Sequence, residues 1–395
     1  MEKKIPFNKP FIAGKELYYI AQAVTMGHLA GDGYFTQQCS RLFEERFGIH
    51  KVLMTPSCTA ALEMAAILCE LGPGDEVILP SYTFVSCANA VVRVGAKPVF
   101  VDVREDTLNI NENLIERAIT NKTKVILAVH YAGIGCEMDQ IMAIAKKHNL
   151  LVVEDAAQGV GAYYNGRALG SIGHLGTYSF HETKNYICGE GGALCINKPE
   201  MIKRAEIIRD KGTNRSEFFR GEVDKYTWVD IGSSYVPSEI ACAFLYAQLE
   251  MMSVISERRM NIYKQYRTLL KPLQIQGLLS LPHIPEDCES NYHMFYIILS
   301  DREIRDGLMA FLKQNGIQSV FHFIPLHTSP MGQSFGYHAG DLPVTEQFSG
   351  RLLRLPFYFE MTETELERVV RLLQSFLESK IHKANKAITL VATVK

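Results

Sequence analysis

Four short apolar runs recur through the first half of the chain: VILP (77–80), VFVD (99–102), VILAVH (125–130) and LLVVED (150–155). Each is continuous and rich in β-branched residues, the pattern of a parallel strand buried on both faces. Stretches with helical spacing lie between them. One opens near Asn111 and sets Leu114, Ile115, Ala118 and Ile119 on one face; another carries Ile141, Ile144 and Ala145 and ends near His148 and Asn149. Strand, helix, strand at this spacing predicts βαβ units and an α/β layered domain.

The pattern changes after residue 250. MMSVISERRMNIYKQYRTLL (251–270) predicts a long helix, and HMFYIILS (293–300) and QSVFHFIP (318–325) predict strands. Ser300 with Glu303 predicts a capping box before a helix bearing Ile304, Leu308, Phe311 and Leu312. Thr362 with Glu365 predicts a second one, before Leu366, Val369, Val370, Leu373 and Leu377. The expected organisation is a large α/β domain over 1–250 and a smaller C-terminal α+β domain over 251–379. Residues 380–395, with four lysines and no acid, read as a disordered tail.

A net charge of -2 leaves no dominant basic face, so nucleic acid is not an expected partner. No run approaches the roughly 18 apolar residues of a membrane span. MEKKIPFNKP at the N-terminus has no apolar stretch after its lysines, unlike a secretory signal. Nine cysteines without a C-x-x-C pair read as reduced core residues of a cytoplasmic protein, with no metal cage.

Three features fall at strand ends or helix starts, where ligands of parallel α/β sheets bind. In TPSCTAALEMAAILCEL (55–71), Ser57, Cys58 and Thr59 open a helix that is apolar nearly all round. Its free amides suit a phosphate; an ordinary N-cap by Ser57 or Thr59 accounts for the same residues. In VVEDAAQGVGA (152–162), Asp155 ends a very apolar strand, where a carboxylate needs a cation or several donors. A protonated ring nitrogen of a cofactor meets that need, and so does capping of the next segment. In HETKNYICGEGG (181–192), Lys184 precedes Gly189, Gly191 and Gly192. A lysine held in a partly dry pocket loses basicity and becomes a usable nucleophile and base.

Taken together, in this order, the three features read as a pyridoxal phosphate site: phosphate on the helix start, Asp155 on the pyridine nitrogen, Lys184 in the Schiff base. Rival motifs fail. There is no P-loop, and Tyr164 stands where the third glycine of a dinucleotide fingerprint would follow Gly159 and Gly161. There is no G-x-S-x-G and no H-E-x-x-H. His322 and His327, in FHFIPLH, read as core or substrate-contact residues rather than metal ligands.

TPSCTAALEMAA, PSYTFVSCANAV, VEDAAQG, YSFHETKN with GEGG, and FHFIPLH follow one another across residues 1–378 in an order that resembles the nucleotide-sugar aminotransferases. These are a branch of the aspartate-aminotransferase fold, fold type I of pyridoxal phosphate enzymes. The resemblance implies a large domain with a mostly parallel central sheet between helices, plus the smaller C-terminal domain. It implies a homodimer with shared active sites, and ping-pong transamination through pyridoxamine phosphate. HETKNY, RDKGTNRSEFFRGEVDKYTW and DIGSSY suggest members that use L-glutamate and a dTDP-linked 4-keto-6-deoxyhexose to make a cell-surface polysaccharide precursor. A GDP- or UDP-linked keto sugar is the alternative. A non-catalytic binding protein on the same fold should lose Lys184 or Asp155, and both are present.

By the same resemblance, Gln158 reaches the cofactor's phenolic oxygen. Cys58 (a position usually glycine), Thr59 and Ser179 contact the phosphate, and Phe84 stacks on the ring. His327 and Tyr186 are candidates on the substrate side. The residues show no clear site for the donor's carboxylate: Arg215 and Arg220 are candidates, with exposed ion-pair roles as the alternative. Many members carry an Asn just after the tyrosine matching Tyr235, reaching the phosphate of the other subunit. Here Val236 stands there, and Ser234 or Tyr235 takes its place.

Overall fold

The computed structural model describes residues 4–393, with side chains through 380. Seven strands form the central sheet: β1 (Lys51–Thr55), β2 (Glu76–Pro80), β3 (Lys97–Val101), β4 (Thr123–Val129), β5 (Leu151–Asp155), β6 (Leu175–Ser179) and β7 (Gly192–Ile196). Their order is β1-β7-β6-β5-β4-β2-β3. The run from β6 to β3 is parallel, and only β7 is antiparallel to its neighbours. The four apolar runs of the sequence are β2 to β5, and the α/β class is as expected.

Continuous apolar runs are needed because successive residues serve opposite faces. Val52, Met54, Ile126, Ala128 and Val152 pack into one core. Leu53, Val125, Leu127, Val129 and Val153 pack into the other. The helix Cys58–Leu68 lies in the second of these layers, which is why it is apolar nearly all round.

A third core joins residues 262–377 with Ile5. Its small sheet pairs β8 (Tyr296–Ile298) with β9 (Leu352–Arg354) antiparallel. Ile5 packs into this lobe, while Phe11 packs against the first core. Ile5 exchanges backbone hydrogen bonds with Gly316 and Gln318, at 2.9 and 3.0 Å.

Three further expectations differ from the structure. QSVFHFIP is not a strand: it keeps a single bridge, Val320 to Arg354, and then turns into the cavity wall. The helix Arg302–Gln314 is capped by Asp301, which accepts from the Ile304 amide at 2.8 Å, and Ser300 bonds to Asp301 instead. The last helix runs Glu363–Thr393, through most of the stretch read as a disordered tail. Nothing between 363 and 393 is proline or glycine, so no residue there stops it. The Thr362–Glu365 capping box forms as expected, with reciprocal bonds of 3.0 and 3.2 Å.

Candidate active site

The carboxyl ends of β2, β4, β5 and β6 open into one cavity of about 590 Å³. After β2 come Thr83 and Phe84; after β4, His130; at and after β5, Asp155 and Gln158; at and after β6, Ser179, His181 and Lys184. Ser57, Cys58 and Thr59 also line it, as do His293, His322, Phe323 and Arg354 of the second lobe.

The helix start has the groups to hold an anion. Ser57 is extended and its hydroxyl accepts from the Ala60 amide at 3.1 Å, so the N-cap reading holds as well. The Cys58 and Thr59 amides have no carbonyl one turn earlier and remain for a ligand. Thr59 Oγ1 lies 2.8 Å from Ser86 Oγ, a second hydroxyl at the same end. Burial raises the Cys58 thiol, which stays neutral. Gly192 of β7 packs directly on the Ser57–Cys58 backbone, where a Cβ would overlap it.

Asp155 is 6% exposed. Its Oδ1 accepts from the Ala157 amide at 2.9 Å and its Oδ2 from the Cys87 thiol at 2.8 Å. A thiol is a weak donor, so this buried carboxylate is only partly compensated and suits a cationic partner. The Ala132 amide donates to Gln158 Oε1 at 2.7 Å, which turns the Gln158 NH₂ free as a donor. Phe84, 59% exposed, presents an apolar ring to the cavity.

Behind this layer Glu154 takes four donors: the amides of Gly170, Ile172 and Gly173, and His130 Nε2 at 2.9 Å. The Cys136 amide donates to His130 Nδ1, so the imidazole carries its hydrogen on Nε2 and is neutral.

Lys184 sits in the loop between β6 and β7. Phe180, Cys188 and Gly191 tie the base of that loop through backbone bonds of 2.8 Å, and Gly189 takes φ +84°. Burial lowers the Lys184 pKa below its ordinary value. Arg354 pushes the same way, while Cys58 and Asp155 oppose. The amine therefore stands among the helix start, the carboxylate and the guanidinium. This combination fits pyridoxal phosphate: free amides for the phosphate, a carboxylate for the ring nitrogen, an amide donor for the phenolic oxygen and a basic amine.

Six of the expected contacts, Cys58, Thr59, Phe84, Asp155, Gln158 and Ser179, line this cavity with Lys184. Five others do not. Tyr186 lies in the core with its hydroxyl 2.8 Å from Ser256 Oγ. His327 is fully buried, bonded through Nδ1 to Ser81 Oγ at 2.7 Å and through Nε2 to Glu346 at 3.0 Å. Arg215 pairs with Asp210, and Arg220 with Glu206 and Glu222, on a surface helix and its cap. Ser234 is exposed and away from the cavity of its own chain, bridged to Asp210. Tyr235 reaches Glu63, at 3.1 Å.

Two residues were missed. Arg354, the last residue of β9, has no ion pair among the described residues. Its Nε is buried without a hydrogen-bond partner, and its guanidinium lies 4.7 Å from the centre of the Phe7 ring. The only sequence signal was an arginine set in the apolar run LLRLPF (352–357). His293 closes the cavity beside it, and its strand-like surroundings gave no signal.

The comparisons with known proteins agree with this fold. The model of the DegT/DnrJ/EryC1/StrS aminotransferase family matches residues 10–374. The spore coat polysaccharide biosynthesis protein SpsC of Bacillus subtilis is 32% identical over 382 residues, 95% of this chain and 97% of SpsC. Among solved structures, Spr1654 of Streptococcus pneumoniae, a sugar aminotransferase by its description, superimposes in its PLP form with a TM-score of 0.88. It is 27% identical, over 95% of this chain and 99% of its own. The aminotransferase TlmJ of Streptoalloteichus hindustanus gives a TM-score of 0.88 at 28% identity, over 95% and 100%.

Proposed function

This chain belongs to the DegT/DnrJ/EryC1/StrS aminotransferase family, and we propose that it moves an amino group from L-glutamate to C4 of dTDP-4-keto-6-deoxy-D-glucose. The product is dTDP-4-amino-4,6-dideoxygalactose, for a cell-surface polysaccharide of the enterobacterial common antigen type. The observation that carries the reading is the meeting of Lys184, Asp155 and the Cys58 helix start in one cavity. The stretches HETKNY and RDKGTNRSEFFRGEVDKYTW support the sugar, and the description of SpsC supports a polysaccharide setting.

The cofactor is pyridoxal phosphate. When bound, it supplies an aldehyde that captures the amino group and a ring that takes up the electron pair of the donor's α-carbon. The chain does the rest. The Cys58 and Thr59 amides and Ser179 hold the phosphate, and Asp155 holds the proton on the ring nitrogen. Gln158 donates to the phenolic oxygen, and Phe84 covers one face of the ring. Lys184, once free, would take the proton from the donor's α-carbon as base and return it as acid two bonds away, on the far side of the transferred nitrogen. Arg354, without an ion pair among the described residues and lining the same cavity as the helix start, takes the donor's α-carboxylate in place of Arg215 and Arg220.

No single helix among the described residues is long and apolar enough to cross a membrane; the free cysteines, most of them buried, support a cytoplasmic enzyme. Phe219, Trp228 and Ile231, 60–79% exposed, give the 210–235 segment an apolar surface suited to a second copy of the chain. Ser234, on that segment, would then face the partner's phosphate.

The test is product analysis by NMR with L-glutamate and dTDP-4-keto-6-deoxyglucose, resolving the C4 epimers. An amine on the GDP- or UDP-linked sugar alone would refute the dTDP assignment. Lys184→Arg should bind the cofactor without the visible band of the lysine linkage, and should lose turnover.

A further inference from the structure

The sheet fixes where the Asp155 side chain begins, but not how its carboxylate is turned. The backbone is held on both sides, paired with Val129 of β4 and Thr177 of β6. The terminal torsion of an aspartate is broad, so the plane of the carboxylate needs its own anchors. The Ala157 amide donates to Oδ1 at 2.9 Å. A carboxylate held by that oxygen alone can still swing about the contact.

The second anchor comes from across the sheet. Cys87 lies in the first turn of the helix Val85–Arg93, which follows β2, and β4 stands between β2 and β5. Its thiol donates to Asp155 Oδ2 at 2.8 Å. Cys87 is fully buried, and burial, with Asp155 alongside, pushes its pKa well above the ordinary value, so the sulfur keeps its hydrogen. A carboxylate oxygen only accepts, so that hydrogen is committed to Oδ2 and the sulfur is left to accept from the Thr83 hydroxyl, 3.1 Å away. Thr83, itself 2% exposed, thereby fixes the turn of the thiol, as the thiol fixes the turn of the carboxylate. Leucine, valine and alanine side chains make up most of the core around Cys87, and an apolar residue would fill its place; what such a residue lacks is the donor. The weakness of the thiol matters too. It holds the plane while drawing off little of the charge, and the remaining lone pairs of Asp155 are open to the cavity that holds Lys184.

We propose that Cys87 is the positioning residue of Asp155: its thiol fixes the plane of the carboxylate so that the free lone pairs meet the ring nitrogen of the cofactor. The inference rests on the assignment of Asp155 to that nitrogen. Cys87 acts through Asp155 and does not itself line the cavity. No bond is made or broken on the sulfur in this role.

The experiment measures binding to the cofactor-free protein and not turnover. Pyridoxamine phosphate and its 1-deaza analogue, in which C–H replaces the ring nitrogen, are titrated by calorimetry. Neither has an aldehyde, so neither bonds to Lys184. The ratio of the two dissociation constants isolates the nitrogen contact, because the other hydrogen-bonding groups are common to both probes. Wild type should favour the nitrogen form by roughly 100-fold, as for a hydrogen bond between charged groups. Cys87→Ala should reduce that preference by about tenfold, the low end for a donor lost from a charged acceptor. Cys87→Ser restores a donor and should stay within about threefold of wild type. A packing role predicts the reverse order: the small apolar alanine would leave the ratio alone, and a buried hydroxyl would weaken both probes equally. An unchanged ratio in Cys87→Ala overturns this proposal alone. If that variant binds neither probe, Cys87→Ser decides: a wild-type ratio supports the anchor and a lost preference overturns it. A wild type with no preference overturns the assignment of Asp155 beneath it as well.

Discussion

Replacing Arg354 by Met should change ligand binding and stability in opposite directions. In the ligand-free protein the guanidinium is largely buried, its Nε lacks a partner, and no carboxylate faces it among the described residues. Burial pushes its pKa below the ordinary value, the mark of a charge held at a cost. Methionine keeps much of the stem's volume and contact with Phe7 but removes the unsatisfied donor, which costs about 1–3 kcal/mol where it stays unpaired. The empty variant should therefore melt at or above the wild-type temperature in scanning calorimetry. Glutamate binding should move the other way. Removing one partner of a buried charge pair costs about 3–5 kcal/mol, and a factor of ten corresponds to about 1.4 kcal/mol. Arg354 is open to the cavity on one side, so the lower part of that range applies, roughly 100- to 1000-fold in the glutamate dissociation constant. The assay titrates the visible band of the loaded variant with L-glutamate and, separately, with propylamine, which has no carboxylate. Propylamine should react with both proteins within about threefold. Unchanged glutamate affinity, or equal loss with both amines, would refute the carboxylate assignment.

Three further outcomes follow from the geometry. Gly192→Ala should force the Ser57–Cys58 backbone away from β7, because a Cβ overlaps it and β7 is pinned between β1 and β6; titration should show cofactor affinity falling at least about tenfold, as expected when a phosphate cradle loses aligned amides. His327→Ala should destabilise the fold by roughly 2–4 kcal/mol in urea unfolding, since Ser81 and Glu346 lose their partner, while the visible band stays unchanged. Burial lowers the Lys184 pKa below 10.5, so in the window beneath that value the unfolded chain binds a proton that the folded, cofactor-free chain does not. Stability should then rise with pH across that window, and Lys184→Met should flatten the slope in denaturation at several pH values.

Local pattern and tertiary closure contributed differently here. The parallel strands were legible because burial on both faces demands unbroken apolar runs, and a run of five such residues has few other readings. The first-lobe chemistry was legible for a related reason. Asp155 and Lys184 lie next to the strand ends that place them, and the Cys58 helix start announces itself by its small polar residues before an apolar helix. Tyr186 and His327 misled because a polar residue beside a site motif looks the same whether its partner is a ligand or a core hydroxyl; Ser256 and Ser81 are distant in sequence and near only in space.

The sequence by itself determined the α/β layering and the placing of Asp155, Lys184 and the Cys58 helix start next to strand ends, since each depends on residues a few positions apart. Only the tertiary structure decided what closes the cavity. Arg354 and His293 arrive from the second lobe, more than one hundred residues after Lys184. Their character comes from what surrounds them: a guanidinium with no carboxylate partner among the described residues, and an imidazole whose Nδ1 is 3.0 Å from the Asn185 amide oxygen and so carries the hydrogen. Unpaired charge and tautomer are properties of a folded neighbourhood, and no local pattern of residues encodes them.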